Sequence, residues 1–394
     1  MRVLYSFPHK LGAERICYTA WQQINGLSAA GAQVLVFPGA LHRSVPANVT
    51  VRPTLAWGKL RIPYRVVGTE RACALHDHIV AERLKKLVGQ VDIVHAWPLG
   101  SLRTLNVAKR LGVPTVLERP NAHTRFAYEV VDRECQRLGV ALPPGHEHGL
   151  NEAKFAIEEE EFRLADYLLC PSDFVRRTYI ERDYTPAKLL RHQYGFDETR
   201  YTPISGTERT GQGLTMLFAG VGAVRKGLHF ALQAWLHSPA HHNGTFLVAG
   251  DILESYAEKL RPSLSHPSVQ VLGHRRDVPD LMRRSDILVL PTLEEGSALV
   301  TSEARGSGCV LLVSDAAGAV CTHMENALIH AAGDVGALTQ HITLLHENRD
   351  LLKQLRAASL STVNEITWAA AGVRLLHVYE QVLSQWRNKA QRAS

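Results

Sequence analysis

The sequence predicts an α/β protein of two doubly wound domains, each a parallel sheet covered by helices. Three observations carry this. The 394 residues are 45% apolar and 21% charged, an ordinary globular balance, and domains of roughly 100–200 residues make this about two to three of them. Short β-branched runs alternate with longer helical patterns, and parallel strands need such crossovers. The alternation comes as two series, separated by the polar Gly-, Ser- and Thr-bearing stretch Tyr201–Gly213, which reads as a linker.

In the first series Val3–Phe7, Gln33–Phe37, Ile93–Ala96, Pro114–Leu117 and Tyr167–Cys170 read as buried strands. The helical patterns between them are Glu14–Ala30, His78–Val88, Leu102–Leu111 and Glu152–Leu164. In the second series the strands are Thr215–Ala219, Phe246–Ala249, Val269–Leu272, Ile287–Leu290 and Val310–Val313. Their helices are Leu228–Leu236, Glu254–Leu264, Val278–Arg284 and Leu299–Gly306. After Val335 the pattern is helical and ends in Trp368–Trp386, and a long terminal helix of this kind often packs across a domain junction. The acidic run Glu158–Glu161 reads as a solvated helix face.

No apolar run approaches the roughly 20 residues of a membrane-spanning helix. Met1–Phe7 is too short for the apolar core of a signal peptide, so no secretion is expected. The six cysteines show no Cys-x-x-Cys spacing, which fits reduced thiols in the cytosol. Residues 1–150 carry 19 basic and 10 acidic side chains, whereas residues 206–394 carry 17 of each. The excess points to an anionic partner (a membrane surface, a phosphorylated acceptor or nucleic acid) or to plain solubilising charge. Nucleic acid is disfavoured, because the excess is spread out and no binding motif accompanies it.

Several motifs fail. Gly220-Val-Gly222-Ala-Val-Arg225 lacks the third glycine of a dinucleotide fingerprint, and Gly222…Gly227-Leu228 lacks the lysine of a P-loop. Asp-x-Asp is absent. His76-Asp77-His78 and His146-Glu147-His148 read as surface histidines rather than ligands, since i, i+2 spacing separates the imidazoles and a third ligand is missing. Two strand–loop–helix features remain. In Phe218–Gly227 a glycine loop with Gly220 and Gly222 leads to Arg225 and Lys226 at a helix start. Free amides and fixed cations there suit a diphosphate. In Leu290–Ala304, Glu295 lies in the loop and Glu303 on the helix, with Ser297 as expected N-cap and the amides of Ala298 and Leu299 facing the crevice. Such carboxylates suit the vicinal hydroxyls of a sugar and a ribose.

The segment Glu295-x7-Glu303, followed by Ala304 and Gly308-Cys309-Val310, resembles the signature of retaining GT-B glycosyltransferases of the group 1, or family four, type. Gly12-Ala13-Glu14-Arg15, Asp92-Ile93-Val94-His95, Ala165-Asp166 with Ser172-Asp173-Phe174, and Tyr194-Gly195-Phe196-Asp197 with Pro203 resemble further stretches of that family. The resemblance spans nearly the whole chain. It implies two Rossmann-like domains facing a central cleft, an acceptor domain over 1–205 and a nucleotide-sugar domain over 206–371, with a helix at about 372–394 crossing back onto the first. It also implies that Glu295 holds donor sugar hydroxyls, Glu303 the ribose and Lys226 the diphosphate. His123, in Glu118-Arg-Pro-Asn-Ala-His123, would contact the donor sugar near the reacting centre, and Gly12 would line the donor from the N-terminal loop. One departure is Val221, where the family often has Arg; Arg225 is read as its substitute.

The expected function is therefore transfer of a hexose-type sugar from a UDP- or GDP-sugar to a hydroxyl acceptor, free or lipid-linked, with retention and without a metal or other cofactor. The expected setting is surface polysaccharide or glycolipid assembly in the cytoplasm, on the inner face of the membrane. The rivals are a sugar-nucleotide epimerase or phosphorylase, and a non-catalytic sugar-nucleotide-binding subunit. Trp57-Gly-Lys59-Leu-Arg61-Ile-Pro-Tyr64-Arg65 interleaves aromatics with cations and reads either as a peripheral membrane contact or as a loop packed on its own domain.

Overall fold

The computed structural model describes residues 1–57, 60–61, 67–146, 148–204 and 213–393. They form two compact units, the first from Met1–Pro120, Asn151–Tyr194 and Trp368–Ser394, the second from Asn121–Leu150 and Gly195–Thr367. Residues 121–150, read from the sequence as part of the acceptor domain, group with the second unit. Val131, Cys135 and Val140 are buried in its core. Glu147 and most of the linker, 205–212, lie outside the described residues. So do Gly58, Lys59 and 62–66 of the aromatic–basic stretch, of which only a short antiparallel backbone pairing is described.

The first unit carries β1 (Arg2–Leu11), β2 (Gln33–Leu41), β3 (Thr50–Val51), β4 (Ala56–Trp57), β5 (Leu60–Arg61), β6 (Ile93–Ala96), β7 (Thr115–Glu118), β8 (Tyr167–Cys170) and β9 (Leu189–Arg191). Seven of these form one sheet in the order β3-β2-β1-β6-β7-β8-β9, every neighbouring pair parallel. Burial on both faces explains the continuous apolar runs. From the sequence alone β1 ends at Phe7, where Pro8-His9-Lys10 interrupts the apolar run. The strand instead continues to Leu11, and its register with β2 slips between Phe7 and Lys10. An irregularity of this kind is where a strand tolerates proline.

The last helix, Trp368–Ala393, belongs to this unit and adds Leu375, Val378, Tyr379 and Val382 to a core with Val3, Tyr5, Ile24 and Leu27. It crosses the Ile16–Ala29 helix backbone to backbone. A Cβ placed on Gly26 would sit 2.8 Å from the Cα of Gly372, and one on Gly372 would sit 2.5 Å from the Cα of Gly26.

Two polar clusters lie inside the first unit. Glu118, at the end of β7, is fully buried and accepts hydrogen bonds from Gln23 Nε2 (2.9 Å), His192 Nε2 (2.9 Å) and Tyr194 Oη (2.8 Å), with His95 Nε2 at 3.4 Å. Burial pushes its carboxyl up, but His192 and His95 outweigh this and hold it far below the usual carboxylate range. The second cluster corrects the reading of Glu158–Glu161 as a solvated face. Glu158 and Glu161 are buried. Glu161 accepts from the amides of Leu99 (2.7 Å) and Ser101 (2.9 Å), ahead of the Leu102–Leu111 helix. His76, read as a surface histidine, is also buried. It bonds Ser6 Oγ (2.9 Å) and Thr54 Oγ1 (2.7 Å), while Asp77 accepts from the amides of Arg103 and Thr104.

The second unit carries β10 (Thr215–Ala219), β11 (Thr245–Ala249), β12 (Val269–Gly273), β13 (Ile287–Leu290), β14 (Val310–Ser314) and β15 (Ala327–His330), all parallel, in the order β12-β11-β10-β13-β14-β15. The order reverses between β10 and β13. In an open parallel sheet such a switch point leaves a crevice beyond the C-terminal strand ends.

Candidate functional site

The loops leaving β10 and β13 meet at this crevice. Gly220 follows β10 with φ +145°. Gly222 donates its amide to Asp251 O (2.8 Å), and a Cβ on it would lie 2.8 Å from Ile252 Cγ1, so the loop has room for nothing larger. Val224–Lys226 then form a 3-10 turn, Gly227 adopts φ +70°, and the Leu228–His237 helix begins. The β13 loop is stitched to this turn. Leu293 N (2.8 Å) and Thr292 Oγ1 (2.7 Å) both donate to Arg225 O.

These contacts fix two cations against two carboxylates. Arg225 Nη1 donates to Glu294 O (3.1 Å) and pairs with Glu295 Oε1 at 2.7 Å and with Glu294 Oε1 at 3.3 Å. Lys226 Nζ pairs with the same Glu295 oxygen. The structure therefore joins Arg225, Lys226 and Glu295, which the sequence had placed on separate loops. It adds two residues that sequence reasoning missed. Glu294 is almost fully buried, and His148 Nε2 reaches its Oε1 at 2.8 Å. Burial pushes the Glu294 carboxyl up, but Arg225, His148 and Lys226 prevail and hold it at about 2. His148 is thus no surface histidine. No local signal links it to Glu294, which is 146 positions away.

Glu303 sits on the Leu299–Gly306 helix. Burial pushes its carboxyl up to about 7, against a hydrogen bond from Tyr201 and the charge of Arg200, while Asp197 adds to the rise. Ser297 is not the N-cap. Ala298 takes that position without a side-chain cap, and its amide donates to Ala317 O (3.2 Å), so of the two expected crevice amides the Ala298 one is already engaged. Leu299 opens the helix. His123 is buried at the N-cap of the Thr124–Leu138 helix, in the second unit. Gly12 lies in the first unit, in the turn after β1, with φ +82° and Arg43 packed against it. Among the described residues no group of three or more His, Cys, Asp or Glu is arranged to hold a metal ion.

Residues 213–348 match the family model described as glycosyl transferases group 1. Over 250 residues the chain is 41% identical to the UDP-Gal:alpha-D-GlcNAc-diphosphoundecaprenol alpha-1,3-galactosyltransferase of Escherichia coli, covering 58% of this chain and 59% of that one. Over 122 residues it is 28% identical to the N,N'-diacetylbacillosaminyl-diphospho-undecaprenol alpha-1,3-N-acetylgalactosaminyltransferase of Campylobacter jejuni, covering 30% and 32%. The chain thus spans less than two thirds of either curated relative. Among solved structures, HepE of Anabaena in complex with UDP is similar over 97% of this chain and 100% of that one, with a TM-score of 0.66 at 15% identity. Residues 213–348 are thus similar to the group 1 glycosyl transferases, and the chain has the GT-B fold.

Proposed function

We propose that this protein is a retaining, metal-independent glycosyltransferase that moves a hexose-type sugar from a UDP-sugar to a hydroxyl of a lipid-linked acceptor. The observation that carries the reading is the set of Arg225, Lys226 and Glu295, locked together at the switch point of the second sheet. UDP as the nucleotide is supported by the HepE complex and by the E. coli relative, whose donor is named as UDP-Gal. A diphosphoundecaprenol-linked acceptor is supported by the names of both curated relatives. That acceptor would place the reaction at the cytoplasmic membrane face. The reading takes membrane contact as peripheral; no helix among the described residues is long and apolar enough to cross a membrane.

Breaking the anomeric bond leaves an oxocarbenium-like sugar and puts negative charge on the departing diphosphate. In this reading Arg225 and Lys226 would face that charge, and fixed cations need no reorganisation at the moment of reaction. Glu295 would exchange its cation partners for sugar hydroxyls, and Glu303 would accept from the ribose. The departing phosphate would take the acceptor's proton as the new bond forms on the same face. The test incubates the protein with UDP-galactose, UDP-glucose and their N-acetylamino forms, with and without GlcNAc-diphosphoundecaprenol, and follows UDP release and the mass of the lipid. Acceptor-dependent UDP release that persists in EDTA supports the reading. Donor conversion without acceptor would establish the epimerase instead.

A further inference from the structure

His148 arrives on a segment that has no part in the second sheet yet is fastened to that unit along its length. The Thr124–Leu138 helix buries Val131 and Cys135 in the unit's core, and Glu134 meets His229 Nε2 at 2.7 Å. Beyond the helix Ser255 Oγ donates to Ala141 O (3.0 Å), and His148 closes the series on Glu294 (2.8 Å).

Arg225 has three anchors here, Glu295 Oε1, Glu294 O and Glu294 Oε1. A bound donor engages Glu295 through its sugar, so the anchors left to Arg225 are both on Glu294. The side chain of Glu294 then decides where the guanidinium points. Arg225 holds that carboxylate from one side, and His148 holds the same oxygen from the other. We propose that His148 is a positioning residue of the donor site, fixing Glu294 and through it the Arg225 guanidinium that faces the diphosphate. The proposal rests on the donor-site reading above.

The test is calorimetric titration of the full chain with UDP, GDP and ADP, using whichever binds wild type most tightly as the probe. A hydrogen bond to a charged group is worth roughly tenfold or more, and His148 acts at one remove, so His148→Ala should weaken the probe about five- to twentyfold. His148→Gln, which offers an amide donor, should restore most of the loss, and His148→Asn, which is too short, should not. In an Arg225→Ala background His148→Ala should have little further effect, because the two act as one chain. In turnover the loss should appear in KM for the donor more than in kcat. Lys226→Ala is the control for the site itself. Wild-type affinity in His148→Ala beside a clear loss in Lys226→Ala overturns the proposal and leaves the donor site standing. An undiminished His148→Ala effect in the Arg225→Ala background also overturns it, since the role is then merely structural. If His148→Ala does not fold, the Gln and Asn pair decides the same point. No nucleotide binding by wild type, or no loss in Lys226→Ala, removes the donor-site reading and the proposal with it.

Discussion

Glu303 gives the proposed donor site a pH dependence with a definite sign. Its carboxyl is pushed up to about 7 by burial, and a ribose hydroxyl donates best to the ionised form. With a midpoint near 7, about a tenth of the free protein is ionised at about pH 6 and about nine-tenths at about pH 8. Apparent affinity scales with the competent fraction, so a UDP-sugar should bind about tenfold more weakly at the lower pH. A UDP-sugar is the right probe, because its substituted diphosphate does not titrate in this window whereas UDP itself does. Tyr201→Phe removes a hydrogen bond that lowers the Glu303 midpoint, so the profile should move to higher pH. Stability runs the other way. A raised carboxyl favours the folded state below its unfolded value and loses that contribution as pH rises through about 7. Glu303→Gln should therefore raise the Tm more at about pH 8 than at about pH 5, while weakening the donor at both. Titration calorimetry and thermal unfolding across this range test both halves. A flat wild-type affinity, or a Tyr201→Phe profile displaced downward, would refute the reasoning.

Three further outcomes are expected. Lys226→Ala should depress turnover more than Arg225→Ala, since Lys226 is the cation that the sequence resemblance sets against the diphosphate and Arg225 is a substitute from a neighbouring position; steady-state kinetics on the two variants decide it. Gly372→Val should destabilise the first unit by about 1–3 kcal/mol or more, because its side chain would enter the Gly26 backbone, and denaturant unfolding would show this as a shift in midpoint. Glu118→Ala should cost about 1–3 kcal/mol for each donor it strands, because Gln23, His192 and Tyr194 lose their acceptor in a dry interior, and chemical denaturation monitored by tryptophan fluorescence measures it. The wild-type contribution of Glu118 is present above the unfolded carboxylate range and lost as pH falls, since its folded carboxyl is depressed.

The long buried strands were legible because both faces of a parallel sheet are apolar, and the β10 and β13 loops because glycines and charges follow those strands abruptly. The short strands were not. Leu189–Arg191 and Thr50–Val51 carry too few residues for any periodicity, and backbone pairing to a preformed neighbour makes them strands. Buried charges were misread for a related reason. Glu161 and Glu158 look solvated in a run of four glutamates, and only the loop amides at Leu99 and Ser101 and the guanidinium of Arg119 reveal what they serve. Ser297 is a good capping type, but the helix starts one residue later than its position required. Of the site, the charged residues were recognisable by kind. Their pairing was not, because Arg225 meets Glu295 only once the sheet has set their loops side by side, and His148 reaches Glu294 from a segment outside that sheet.

The first unit is assembled from three separated stretches of chain, the last of which is the Trp368–Ala393 helix. A growing chain on the ribosome therefore exposes the groove that receives Leu375, Val378, Tyr379 and Val382 throughout synthesis of the whole second unit. The second unit has no such debt to later residues and can close first, so folding order should run against the order of synthesis. During that interval Val3, Tyr5, Ile24 and Leu27 lack their last covering layer, and the nascent protein is at its most exposed to chaperones, proteases and aggregation.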